Sequence, residues 1–180
     1  MKNLSLLFLA LTTIVYTSCK ENQKQVAPEV VTVDNTETKS YEIATKEAEF
    51  NDPKVEAIFD QYIEVEEALV NTDSARTASE ATKLAILLKE MNADQETQNA
   101  VEAMAAADDI AVQRENFEAL SSGMETMLQG AIKSGMLYKQ FCPMAFNNKG
   151  AYWISSGRDI LNPYFGDKML KCGRVDSEIK

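Results

Sequence analysis

The 180-residue sequence contains no histidine. That absence rules out a Ser-His-Asp or Cys-His catalytic unit, a C-x-x-C-H haem attachment and any His-ligated zinc or iron. Basic residues are also scarce, 18 Lys and Arg against 28 Asp and Glu, for a net charge of −10 and a pI near 4.6. Phosphate recognition needs clustered cations, so nucleic acid is not an expected partner. No G-x-x-x-x-G-K-[ST], G-x-G-x-x-G or G-x-S-x-G occurs, so nucleotide and hydrolase motifs are missing. With neither a nucleophile–base pair nor an open metal site readable, the expectation is a protein that is not an enzyme. What remains is sulfur: 3 Cys and 8 Met.

The N-terminus reads as an address. A short charged start, Met1-Lys2-Asn3, leads into an apolar run from Leu4 through Val15 that breaks at Thr17-Ser18-Cys19. A bilayer core takes roughly 20 apolar residues, so this shorter run predicts an export signal rather than a span. A small residue directly before a lone cysteine resembles the bacterial lipoprotein box, with Tyr16 where that pattern usually has Leu. The resemblance implies lipidation at Cys19 and a protein anchored in the cell envelope, on the periplasmic side or in the outer membrane. An ordinary secretory signal with an incidental cysteine is the alternative. Residues 20–52, with four basic and eight acidic side chains in no clean period, predict a flexible acidic tether. Val30 to Val33 is its one candidate edge strand.

From Asp52 the texture changes. Asp52-Pro53 suits an N-cap and first helical residue, and Val55, Ile58, Phe59, Tyr62, Val65 and Leu69 then form one apolar stripe. Asn71-Thr72-Asp73 breaks it. A second stripe runs Ala78, Ala81, Leu84, Ala85, Leu88, Met91, and a shorter third holds Val101, Met104 and Ala105 after the turn Asn92-Ala93-Asp94. Asp108-Asp109 caps a fourth helix with Ile110, Phe117, Leu120, Met124, Met127, Leu128 and Ala131 inward, ending near Gly135. Connections this short force antiparallel neighbours, so the fold class is mainly α: an up-and-down four-helix bundle carrying an irregular, short-strand C-terminal cap. The domain spans 53–176 and the cap 136–176. Glu64, Glu66 and Glu67 read as a solvated face, and Met91, Met104, Met124 and Met127 as core.

The tail from residue 135 holds seven aromatics and five of the seven glycines, and seven basic against four acidic residues. Leu137 to Met144, Ala151 to Ser155 and Lys168 to Val175 are candidate strands. Such a tail should fold onto the acidic bundle, since exposed it would aggregate. Arg114, near Asp109 and Glu118 in sequence, is read either as a surface ion pair or as a buried contact holding the tail.

Cys142-Pro143-Met144-Ala145, Gly150-Ala151-Tyr152-Trp153-Ile154-Ser155 and the run from Ile160 to Gly173 resemble the domain-of-unknown-function family 3347. Gln113-Arg114 and Phe117 fit it as well. The family is uncharacterised. The resemblance implies a Bacteroidetes lipoprotein or secreted protein, and an association with heavy-metal (copper or silver) efflux adaptors or another envelope protein as partner.

Two readings of the tail sulfurs stay open. Cys142, Met144, Met169 and Cys172 form a donor set of two thiolates and two thioethers suited to Cu(I) or Ag(I), with Trp153 or Tyr152 as a shield. In an exported protein Cys142 and Cys172 equally suit one disulfide, closing a loop worth about 3.5 kcal/mol in chain entropy. Free or redox-switching thiols are the third state. With the disulfide goes an interaction protein, with Arg114, Trp153, Tyr164 and Phe165 as groove or packing residues between tail and bundle.

Overall fold

In the computed structural model, which describes residues 39–180, each of four long helices starts on an aspartate. The helices are α1 (Pro53–Val70), α2 (Ser74–Glu90), α3 (Gln95–Ala106) and α4 (Ile110–Leu128). Asp52 accepts from the Lys54 N–H at 2.8 Å, Asp73 from Arg76 at 2.9 Å, Asp94 from Thr97 at 2.9 Å and Asp109 from Ala111 at 2.8 Å. Each bond satisfies a donor that the first helical turn leaves free. Thr72 and Asn92, in left-handed backbone, turn the chain after α1 and α2. Each helix packs against the next, giving the up-and-down bundle, and the expected apolar stripes face inward. Met104 and Met124 are core, as their spacing predicts.

Two strand pairs complete the fold. Strand β1 (Glu49–Phe50) pairs antiparallel with β2 (Ile132–Ser134). Strands β3 (Leu137–Cys142), β4 (Ala151–Ser155) and β5 (Arg174–Ile179) form an antiparallel sheet in the order β4-β3-β5, with β4 lying on α4. Burial on β4 puts Trp153 inside and leaves Tyr152 outside. The protein is therefore mainly α with a strand cap.

Three expectations change. The fourth helix stops at Leu128 rather than near Gly135, because Gly130 takes left-handed backbone and β2 follows at once. The third tail strand begins at Arg174, not Lys168. Asn162 holds the preceding segment away from the sheet, its N–H donating to Leu170 O at 2.9 Å and its side-chain NH₂ to Cys172 O at 2.6 Å. Finally, residues 39–52 belong to the folded body, not to a tether. Tyr41 exchanges two 2.8 Å hydrogen bonds with the Asn71 side chain, and the Ile43 N–H donates to Glu67 at 3.1 Å. Lys46 pairs with Glu56 and Asp60, while Ala48 and Phe50 are buried. Two apolar side chains with partnered backbone are enough to fix a short strap. The signal at 1–19, lipidation at Cys19, the tether over 20–38 and the strand at Val30–Val33 lie outside the described residues.

The core is continuous from strap to cap. Phe50, Phe59, Tyr62, Phe117 and Tyr164 form a chain of ring contacts with centroids 5.2–6.2 Å apart, and Tyr164 continues to Phe146 and Trp153. That series commits Trp153 and Tyr164 to packing and rests one side of the half-buried Phe146 on Tyr164.

Candidate functional site

Cys142 is the last residue of β3, held by its register opposite Ala151. Cys172 arrives from the other side, at the end of a turn in which its N–H donates to Met169 O at 2.9 Å. Asn162 organises that approach. Besides holding Cys172 and Leu170, its side-chain oxygen accepts from the N–H groups of Tyr164 (2.8 Å) and Phe165 (3.2 Å). The two Sγ atoms consequently stand 3.3 Å apart. Cys142 is buried and Cys172 partly so. Burial and the neighbouring thiol of Cys142 push the Cys172 thiol up, away from thiolate.

The other two sulfurs are placed differently. Met144, beyond Pro143, is 46% exposed, and Met169 is half-buried. Among the described residues no three His, Cys, Asp or Glu side chains gather as a group able to hold a metal ion.

Arg114 takes the second of its two roles. Its Nε–H donates to Pro163 O at 2.8 Å, and Nη2 donates to Leu69 O and Thr72 Oγ1, each at 3.1 Å. No carboxylate is within ion-pair distance of it among the described residues. Desolvation lowers its pKa, though a guanidinium stays charged. One side chain thus clasps the end of α1 to the cap. Trp153 and Tyr164 are buried and Phe165 half-buried, so these residues pack the cap to the bundle. The groove expected between them is filled.

Sequence reasoning missed Glu66. Rather than joining a solvated face, it is fully buried, and neither carboxylate oxygen has a hydrogen-bond partner. Ser155 and Trp153 lie near enough to favour its charged form, yet outside bonding geometry, and the Trp153 N–H is unpartnered too. Desolvation dominates and pushes the carboxyl well above the usual carboxylate range. The helical period puts Glu66 beside Tyr62 and Val70, on the face of α1 that receives β4. Its burial follows from the cap, which periodicity within α1 cannot reveal.

Glu115, Glu118 and Glu125 line the outward side of α4, across from the hairpin that joins β3 to β4. Phe146, Asn147 and Asn148 in that hairpin all have left-handed backbone, and Tyr152 stands exposed on the strand. Lys139 bonds Glu125 at 2.7 Å with its ammonium 4.4 Å from the centre of the Tyr152 ring.

No curated protein and no solved structure matches the chain. A family model described as "Protein of unknown function (DUF3347)" matches residues 58–134, which include Gln113, Arg114 and Phe117 but stop before the cysteine-bearing cap. Over those residues, from within α1 to the end of β2, the chain is similar to the DUF3347 family.

Proposed function

We propose that the chain is a non-enzymatic interaction domain, exported and held in the cell envelope by a lipid on Cys19, whose cap is stapled by a Cys142–Cys172 disulfide. The observation that carries the staple is the 3.3 Å separation of two sulfurs brought together from β3 and the turn before β5. Closing to a bond of about 2.05 Å takes a small approach, and an oxidising compartment supplies the acceptor for the two electrons. A Cys172 thiol biased against ionisation is a poor resting nucleophile, which suits a structural role better than a catalytic one.

A second reading rests on the same convergence. Reduced, the pair is a two-sulfur donor set for Cu(I) or Ag(I), in keeping with the efflux association that the family resemblance implies. With metal–sulfur bonds of roughly 2.3 Å, sulfurs 3.3 Å apart subtend only about 90° at the ion. An in-line arrangement needs them to part by a further 1.3 Å or so. Met144 and Met169 would then have to close in as the remaining donors.

Thiol titration of the unfolded protein, purified from the envelope without reductant, separates the two. The staple predicts no titratable Cys142 or Cys172, and a stability loss on Cys142→Ser of up to about 3.5 kcal/mol. Two titratable thiols overturn it. Cu(I) titration of the reduced protein against Cys142→Ser and Met169→Leu tests the second reading, which equal binding by all three would end. Cys19→Ser should release the protein from the membrane fraction, and unchanged partitioning would overturn the anchor.

A further inference from the structure

The interaction reading leaves the partner surface unspecified, and the aromatic residues first expected to form it are spent on the core. The open surface lies elsewhere, between α4 and the β3–β4 hairpin. Two adjoining hollows run there, of about 400 Å³ and about 220 Å³, and they meet at Glu118. One wall is α4, with Glu115, Glu118, Ser122 and Glu125 three to four residues apart, hence in one line down the helix. The other wall is the hairpin, with Phe146 at its tip and Tyr152 on its strand.

The lower hollow already displays what this wall chemistry accepts. The Lys139 ammonium sits between the Glu125 carboxylate and the face of Tyr152, combining an ion pair with a cation–π contact. In the upper hollow the same two elements recur, carboxylates at Glu115 and Glu118 and an aromatic ring at Phe146. Here no cation is paired with either glutamate among the described residues, and both are exposed. Lys149 stands on the hairpin side of this hollow and keeps a second cation from that wall, so an incoming charge is directed to α4. The surrounding field has the matching sign: residues 53–134 carry six basic and 16 acidic side chains.

We propose that the α4–hairpin groove is a docking site for a partner protein segment bearing lysine or arginine, with Glu115 and Glu118 taking the cation and Phe146 and Tyr152 covering its aliphatic stem. This rests on the interaction-domain reading and names its partner chemistry. Long cationic side chains bury their stems while keeping the charge at a carboxylate, which is what a groove acidic on one wall and aromatic on the other selects.

The probe is a fluorescein-labelled, end-capped (Lys-Ser)4 peptide, followed by anisotropy against the protein purified from the envelope. Saturable binding is expected, falling as salt is raised. Glu118→Gln should weaken it at least tenfold and Tyr152→Leu at least threefold. Glu90→Gln makes the same charge change at an exposed position on α2, remote from the groove in sequence, and should change it less than twofold. Equal losses in Glu118→Gln and Glu90→Gln would mean that net charge alone attracts the peptide, and would overturn the site, as would an absence of saturable binding. Thermal melts confirm that each variant is folded, and the thiol count is taken on the same samples. A stapled protein that binds no peptide therefore overturns the groove alone, whereas free thiols with specific binding overturn the staple alone.

Discussion

Replacing Glu66 by glutamine stabilises the protein at neutral pH and flattens the dependence of its stability on pH. The carboxyl is fully buried without a hydrogen-bond partner, and desolvation holds its folded-state pKa well above the ordinary value of 4.5. The folded protein therefore keeps a proton that the unfolded chain releases more readily. Stability from this group is fully present below about pH 4.5. It falls as pH rises toward the folded value, by about 1.4 kcal/mol per pH unit where only the unfolded state has ionised. Past the folded value the loss is complete. Tyr62, beside it, is also raised but stays neutral across this range and contributes no slope. Glu80 and Asp94 are lowered by their hydrogen-bond partners, so they lose stability as pH falls and act in the opposite direction. Urea unfolding of wild type and Glu66→Gln from pH 5 to 8 isolates the Glu66 contribution as the difference. The gain from glutamine should grow with pH up to the folded value of Glu66 and then level off. A difference that stays constant, or a variant less stable throughout, would mean that Glu66 is ionised in the fold and compensated.

Glu66 also marks where the sequence stops being informative. The bundle is legible because its signals are local: four aspartate caps and apolar residues at intervals of three and four. Val55, Ile58, Phe59, Tyr62, Val65 and Leu69 are all buried as their spacing predicts. A helix covered on a second face leaves no such mark. Glu66 reads as solvated until β4, more than eighty residues later, is laid over it. The strap is hidden for the same reason, since the partners of Tyr41 and Ile43 are Asn71 and Glu67 on a different element. In the tail, β3 and β4 are readable from their aromatic and β-branched residues, but β5 is displaced by the bonds of one side chain, Asn162. The convergence of Cys142 and Cys172 is open to arithmetic because the tail holds two cysteines, the number that one bond needs. The α4 groove was not. Its glutamates belong to an ordinary polar helix face until the hairpin stands opposite.

Gly166→Ala should cost about 3 kcal/mol, more than any surface substitution, because it opens the clasp between bundle and cap. Gly166 has φ +56, in the left-handed region, where an L side chain costs roughly 1–2 kcal/mol. A Cβ there would also lie 2.3 Å from Thr72 Oγ1, 2.9 Å from Val70 O and 3.0 Å from Arg114 Nη2. The hydroxyl can swing aside, but Val70 O is backbone at the end of α1 and cannot. Relief requires the turn at Gly166 to move off α1, and with it Pro163, whose carbonyl holds the Arg114 Nε–H. Gly130→Ala measures the conformational part alone: its φ is +71 and nothing lies within 4 Å of the added atom. It should lose only the left-handed cost, roughly 1–2 kcal/mol. Arg114→Met removes the clasp from the other side. It leaves the Pro163 carbonyl without its donor and takes from Leu69 O one of two donors, the Thr72 N–H remaining at 3.1 Å, at about 2–3 kcal/mol for charge-assisted bonds. Because both substitutions break one contact, Gly166→Ala and Arg114→Met together should lose clearly less than the sum of the two. Urea unfolding read by Trp153, the only tryptophan and buried against Tyr164, gives all four values from one signal. Additive losses would show that Gly166 and Arg114 act independently, and equal losses at Gly166 and Gly130 would show that backbone strain, not the α1–cap contact, sets the effect.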